Sequence, residues 1–166
     1  MKIAVYSGSF NPLHIGHLAI IRHLIETAGY DCVYLIVSPK NPLKDGISAA
    51  SGPERYEAAV AAVKRHFSSS NEAAGTSRVY VDDIELNMSE PHYTVRTLDA
   101  LREREPENSF TLTVGADNLS EFRRWKDYRR ILKEHGVAVF PRTGFDLASI
   151  KEDLISEDSS YMITLL

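Results

Sequence analysis

Ser7-Gly8-Ser9-Phe10-Asn11-Pro12-Leu13-His14-Ile15-Gly16-His17-Leu18 is the stretch whose reading decides the fold. Ahead of it, Ile3 to Val5 is a short apolar run that suits a buried strand. Behind it, Leu18-Ala19-Ile20-Ile21-Arg22-His23-Leu24-Ile25 spaces its apolar residues as a helix packed on a sheet does. The stretch is a strand-to-helix turn. Such turns hold phosphate in α/β folds, because the first helical amides lack internal partners and the helix dipole adds partial positive charge. Gly8 and Gly16 would let backbone and ligand approach with no Cβ between them. Pro12 favours an extended residue before it and delays the helix start. His14 and His17, three apart across the first turn, would share a face. A metal pair is the rival reading, but ligand sets usually need a third or fourth donor, and nothing cysteine-rich or acidic lies nearby.

Working outward, the string GSFNPLHIGH resembles the G-x-F-x-P-x-H/T-x-G-H signature of nucleotidyltransferases that join a nucleoside triphosphate to a phosphate-bearing acceptor. With His14 where threonine is the alternative, it is more similar to nicotinate- or nicotinamide-nucleotide adenylyltransferases than to pantetheine-phosphate adenylyltransferases. The resemblance implies that His14 and His17 are catalytic and that Gly8, Ser9, Phe10 and Gly16 hold the phosphates of ATP.

The chain has 166 residues, a length suited to one domain, and a formal net charge of −4, which argues against nonspecific nucleic-acid binding. Cys32 is the single cysteine, so no disulfide forms within the chain, and it reads as a packed small residue. No secretory signal or bilayer-length apolar run is present, so a cytoplasmic protein without membrane contact is expected.

After a stop at Gly29, Cys32 to Val37 reads as a central parallel strand. The turn-rich segment behind it carries Lys40 and Lys44. Both suit a solvated loop, but Asn41-Pro42-Leu43-Lys44 resembles the family's Pro-x-x-Lys loop, which implies that Lys44 binds triphosphate. Ser51-Gly52-Pro53-Glu54-Arg55 opens the next helix. Arg55 there faces either nucleotide or solvent. Residues 68–77 read as a polar connecting loop, and Arg78 to Leu86 as a third strand.

Ser89 to Arg102 reads as a helix in which Thr94 suits a cap. The same segment resembles the family's Tyr-Thr-x-x-Thr-Leu stretch, implying that Tyr93 and Thr94 shape the acceptor pocket. Phe110 to Val114 makes a fourth strand that delivers Gly115 and Asp117 to its carboxyl end, where open α/β sheets place ligands. Asp117 either caps the next helix, read as running to Leu132, or contacts the acceptor. Gly-Ala-Asp followed by Trp125 resembles the mononucleotide side of the nicotinate-nucleotide enzymes. That implies acceptor binding by Gly115, Asp117 and the Trp125 indole. Val137 to Phe140 forms a fifth strand. Arg142 beyond it either meets ATP phosphate or lies exposed. A short helix over Leu147 to Leu154 and an apolar terminal run from Tyr161 follow.

The pattern is a doubly wound, mainly parallel Rossmann-like sheet of five to six strands with helices on both faces. The resemblance implies a single nucleotidyltransferase domain over residues 1–166 that lacks the family's last phosphate-binding turn and helix, and so turns over poorly. It implies adenylyl transfer from ATP, with Mg²⁺ held mainly through phosphates and water, to nicotinate mononucleotide. Pantetheine-phosphate adenylyl transfer and a non-catalytic nucleotide-binding module are the alternatives. Nicotinate against nicotinamide preference and oligomeric state stay open.

Overall fold

A computed structural model describes residues 1–39, 51–67 and 78–166. Among these, six strands form one sheet in the order β3-β2-β1-β4-β5-β6. The chain divides into two compact units, Val5–Glu90 and Met1–Ala4 with Pro91–Leu166.

In the first unit, the end of β1 (Lys2–Gly8, whose residues 2–4 belong to the second unit) runs into helix α1 (Ile15–Glu26), then β2 (Cys32–Val37), α2 (Gly52–Phe67) and β3 (Val79–Asp82). The continuous apolar run of β2 is buried over Val33, Leu35, Ile36 and Val37, as a strand covered on both faces requires. It pairs parallel with β3, Val33 opposite Val79 and Leu35 opposite Val81. Helix α1 buries Ile21 and Leu24, three apart, the spacing of one helical face. Each such side chain contributes roughly 1.5–3 kcal/mol on burial. Cys32 is buried, as its place in the strand suggested. The third strand is shorter than the sequence implies. It ends at Asp82, whose carboxylate accepts the Ile84 amide 3.0 Å away and opens a 3₁₀ turn over Ile84–Asn87.

In the second unit, α3 (Thr94–Arg104) leads to β4 (Ser109–Gly115), α4 (Ala116–Ser120), β5 (Val137–Phe140), α6 (Leu147–Glu157) and β6 (Ile163–Leu165). The pairs β4–β5 and β5–β6 are parallel, so the terminal apolar run is a sixth strand. The single helix expected to reach Leu132 does not form. The backbone makes a 3₁₀ turn at Phe122–Arg124, extends at Trp125 and turns left-handed at Asp127 (φ 53°, ψ 39°). It coils again as α5 (Tyr128–Arg130) and a wider turn over Ile131–His135. The charged run Arg123 to Asp127 has one apolar residue to hold against a core. Aspartate is among the few side chains that tolerate the left-handed region.

Candidate active site

The turn between β1 and α1 is built from its own rings. Phe10 adopts a left-handed backbone (φ 46°), a conformation that ordinarily costs of order 1–3 kcal/mol in a non-glycine residue. Burial of its ring offsets that cost: the ring packs edge-on against Tyr6 at 5.6 Å and His17 at 5.1 Å. A Cβ on Gly8 would stand 3.3 Å from the same phenyl ring.

Helix α1 begins at Ile15, three residues earlier than its apolar pattern suggests, because His14 caps it. The His14 Nδ1 accepts the Gly16 amide at 3.1 Å, and the His17 Nδ1 accepts the His14 amide at 3.0 Å. This is a capping box made of two imidazoles. The rings stack, centroids 3.7 Å apart and planes 23° from parallel. With each Nδ1 accepting, the hydrogen-bond network assigns the neutral tautomer in which Nε2 carries the hydrogen. The amides of His14 and Gly16 are therefore engaged, and the donors the turn presents are imidazole N–H groups as well as main chain. A Cβ on Gly16 would lie 3.0 Å from His14 Cε1, so the glycine leaves room for that ring.

Arg55, on the first turn of α2, is 2% exposed. Its Nη1 donates to the Ser9 and Ser38 carbonyls, 2.7 Å each, and its Nη2 to the Pro39 carbonyl at 3.3 Å. Burial pulls its basicity below the ordinary guanidinium range.

In the second unit, a cavity of about 210 Å³ is lined by His92, Tyr93, Thr94, Arg124, Trp125 and Lys126. Trp125 rests against the fully buried Phe122, ring centroids 4.6 Å apart. Tyr93 occupies the cap position of α3 and Thr94 is the first helical residue, with no side-chain cap bond, so Thr94 is not the cap the sequence suggests. At the ends of β4 and β5, Asp117 and Arg142 face each other, Oδ1 to Nε 3.7 Å. The Arg142 guanidinium sits over the Phe140 ring at 5.1 Å. Gly115 leaves the space this group needs, since a Cβ would meet Asp117 Oδ1 at 2.5 Å and the Phe140 ring at 2.9 Å.

Residues 5–164 match the Cytidylyltransferase-like family. The chain is 36% identical over 152 residues to the probable nicotinate-nucleotide adenylyltransferase of Cytophaga hutchinsonii, covering 92% of this chain and 74% of that one. It is 37% identical over 146 residues to the probable nicotinate-nucleotide adenylyltransferase of Bacteroides fragilis, covering 88% and 68%. The chain belongs to the cytidylyltransferase-like nucleotidyltransferases. In fold it is similar to the Plasmodium falciparum nicotinic acid mononucleotide adenylyltransferase complexed with NaAD. That match has a TM-score of 0.74 at 18% identity, over 99% of this chain and 74% of that one.

For this nucleotidyltransferase, the structure gathers Gly8, Ser9, Phe10, His14, Gly16 and His17 into one turn, and Tyr93, Thr94 and Trp125 around one cavity. It pairs Asp117 with Arg142, which the sequence treats as serving different substrates. Lys44 and Lys40 lie outside the described residues, as does the loop expected over 68–77. The sequence reading misses His92, Arg124 and Lys126 as cavity residues, and for Arg55 it offers only nucleotide or solvent. A signal for Arg55 existed: Arg55, Ala59, Ala62 and Val63 follow the spacing of one buried helical face. Among the described residues, no helix is long and apolar enough to cross a membrane.

Proposed function

We propose that the chain transfers the adenylyl group of ATP to nicotinate mononucleotide, giving nicotinate adenine dinucleotide and pyrophosphate, a step of NAD biosynthesis. The stacked pair His14 and His17, with both Nδ1 atoms committed to backbone amides, carries this reading. The names of the relatives, at a third or more identity over most of the chain, support the acceptor.

An acceptor phosphate oxygen attacks the α-phosphorus. That O–P bond forms as the bond from the α-phosphorus to the bridging oxygen breaks, and the electron pair departs on pyrophosphate. The nucleophile is already an anion, so no covalent protein intermediate is needed. What the protein supplies is position and stabilisation of charge on the transferring and leaving phosphates. The Nε2–H groups of His14 and His17 are preorganised donors for that charge, since their rings are locked before substrate arrives. Ser9, Phe10 and the Gly8 and Gly16 backbone shape the same turn. Lys44 would add charge to the triphosphate.

ATP enters as its magnesium complex. Among the described residues, the one group of His, Cys, Asp or Glu side chains close enough to share an ion is Asp99, Glu134 and His135, whose two carboxylates already pair with Arg102 and Arg130. A magnesium ion held by phosphate oxygens and waters asks for no protein cage, which fits this donor set.

Trp125 and Tyr93 offer aromatic faces to a pyridine ring, while His92, Arg124 and Lys126 line the cavity with nitrogen bases and no carboxylate. That charge balance favours nicotinate over nicotinamide. Asp117, positioned by Gly115 and Arg142, would take a ribose hydroxyl. The nucleotide substrates and the lone buried thiol suit the cytoplasm. The test is pyrophosphate release from ATP with nicotinate mononucleotide, nicotinamide mononucleotide or pantetheine phosphate as acceptor. Fastest turnover with nicotinate mononucleotide is expected, and turnover only with pantetheine phosphate would overturn the assignment.

A further inference from the structure

The phosphate turn has a demanding geometry. Phe10 is left-handed, and two imidazoles must stack while each accepts an amide. A contact from outside the turn also holds it. Arg55 touches neither histidine in any bond described above, yet its guanidinium joins the turn to the end of β2. One nitrogen, Nη1, donates at 2.7 Å to the carbonyl of Ser9, the residue before Phe10, and at 2.7 Å to the carbonyl of Ser38. Ser38 returns the link, its amide donating to the Gly8 carbonyl at 2.8 Å. From Ser9 the path continues through the Phe10 backbone to a ring lying edge-on to His17, and from His17 to the stacked His14.

Resting on the adenylyl-transfer reading, we infer that Arg55 is a positioning residue for the reaction: its buried fork fixes the Ser9 carbonyl and thereby the tautomer and stacking of His14 and His17. A planar group with several donors at fixed angles can satisfy carbonyls from two segments at once. An ammonium on a flexible stem cannot reproduce that geometry. A guanidinium in this place is costly to desolvate, and a leucine would pack there without that cost. Several charge-assisted hydrogen bonds offset the cost, and each ends on backbone that carries the site.

The test uses the full chain with Arg55→Met and Arg55→Lys, each first checked for folding by circular dichroism. Two readouts follow. Imidazole ¹⁵N–¹H spectra report which nitrogen carries the hydrogen, with His14 and His17 assigned through His14→Asn and His17→Asn. Steady-state kinetics separate kcat from KM. In the parent chain both rings are expected in the Nε2–H form. In Arg55→Met these two rings should move to mixed tautomers while the other histidines stay put, and kcat should fall roughly a hundredfold, the scale of a 1 Å misplacement. The KM for nicotinate mononucleotide should change little. Arg55→Lys, which serves if the methionine variant does not fold, should lie between. A folded variant of either kind with unchanged rings or unchanged kcat overturns the inference. The ring spectra need no turnover, so a parent chain that releases no pyrophosphate counts against the proposed function and leaves the clamp separately testable.

Discussion

His14 and His17 cap each other's helix turn: the Nδ1 of His14 accepts the Gly16 amide, the Nδ1 of His17 accepts the His14 amide, and the rings stack at 3.7 Å. Each imidazole thus has a structural nitrogen and a chemical one. Asparagine at position 14 retains a cap acceptor and removes the Nε2 donor. His14→Asn should therefore melt within about 3 °C of the parent chain, while turnover falls about a hundredfold or more. His17→Ala should abolish turnover and also weaken the helix start by about 1 kcal/mol. Thermal melts beside a pyrophosphate assay separate the two roles, and near-normal turnover in either variant would remove the imidazoles from the chemistry.

Gly16 tests the same relationship through space. Gly16→Ala places a methyl 3.0 Å from His14 Cε1, and the ring must give way by a few tenths of an ångström. Alanine is the better helix former by up to about 1 kcal/mol. The expected result is a melting temperature equal to or above the parent's with kcat reduced at least several-fold. A rise in KM for ATP with kcat unchanged would mean that the glycine makes room for ligand and not for the ring.

Gly115→Ala should behave differently, because its Cβ would stand 2.5 Å from Asp117 Oδ1 and 2.9 Å from the Phe140 ring. Overpacking of this kind costs roughly 1–3 kcal/mol. Denaturant unfolding should show that loss, together with a raised KM for nicotinate mononucleotide as Asp117 is displaced from Arg142.

The basic lining of the second unit's cavity predicts a change in selectivity. With Arg124→Gln and Lys126→Gln together, the preference for nicotinate over nicotinamide mononucleotide should fall roughly tenfold or more, the scale of one charge-assisted hydrogen bond. Competition assays with the two acceptors read the ratio directly, and an unchanged ratio would assign the discrimination to main-chain donors.

The network of Asp99, Arg102, Arg130 and Glu134 predicts how stability depends on acid. Hydrogen bonds from Arg130 and Arg102 lower the Glu134 carboxyl from 4.5 to about 2. A depressed carboxyl contributes stability above its unfolded value and loses it as pH falls through the folded one, here between about pH 4.5 and 2. Glu134→Gln should therefore be less stable than the parent at pH 7, by about 1 kcal/mol or less for so exposed a network, with the gap closing toward pH 2. His135 behind it acts in a higher window. Burial, then the charge of Arg102, pushes the imidazole below 6.5. The unfolded chain then takes up its proton first, so stability falls as pH drops below about 6.5. His135→Leu should flatten that part of a melting-temperature profile while leaving the Glu134 window in place.

The strand and helix periods of β1, α1, β2, β4 and β5 are visible in the sequence because each is a local pattern of apolar residues against a sheet. The phosphate turn is legible for a related reason: glycine, proline and two histidines within a dozen residues impose their geometry on a short stretch of backbone. What the sequence determined was the layered fold, the turn and the residue types that suit nucleotide chemistry. Tertiary structure alone decided that Asp117 meets Arg142, that the run after Ser120 breaks into turns, and that Arg55 ties Ser9 to Ser38. Each of the three joins or depends on groups brought together by packing: two strand ends, a core with one aromatic to anchor, two loops and a helix. A buried polar group takes the partners the assembled fold presents to it, and its neighbours along the chain do not specify them.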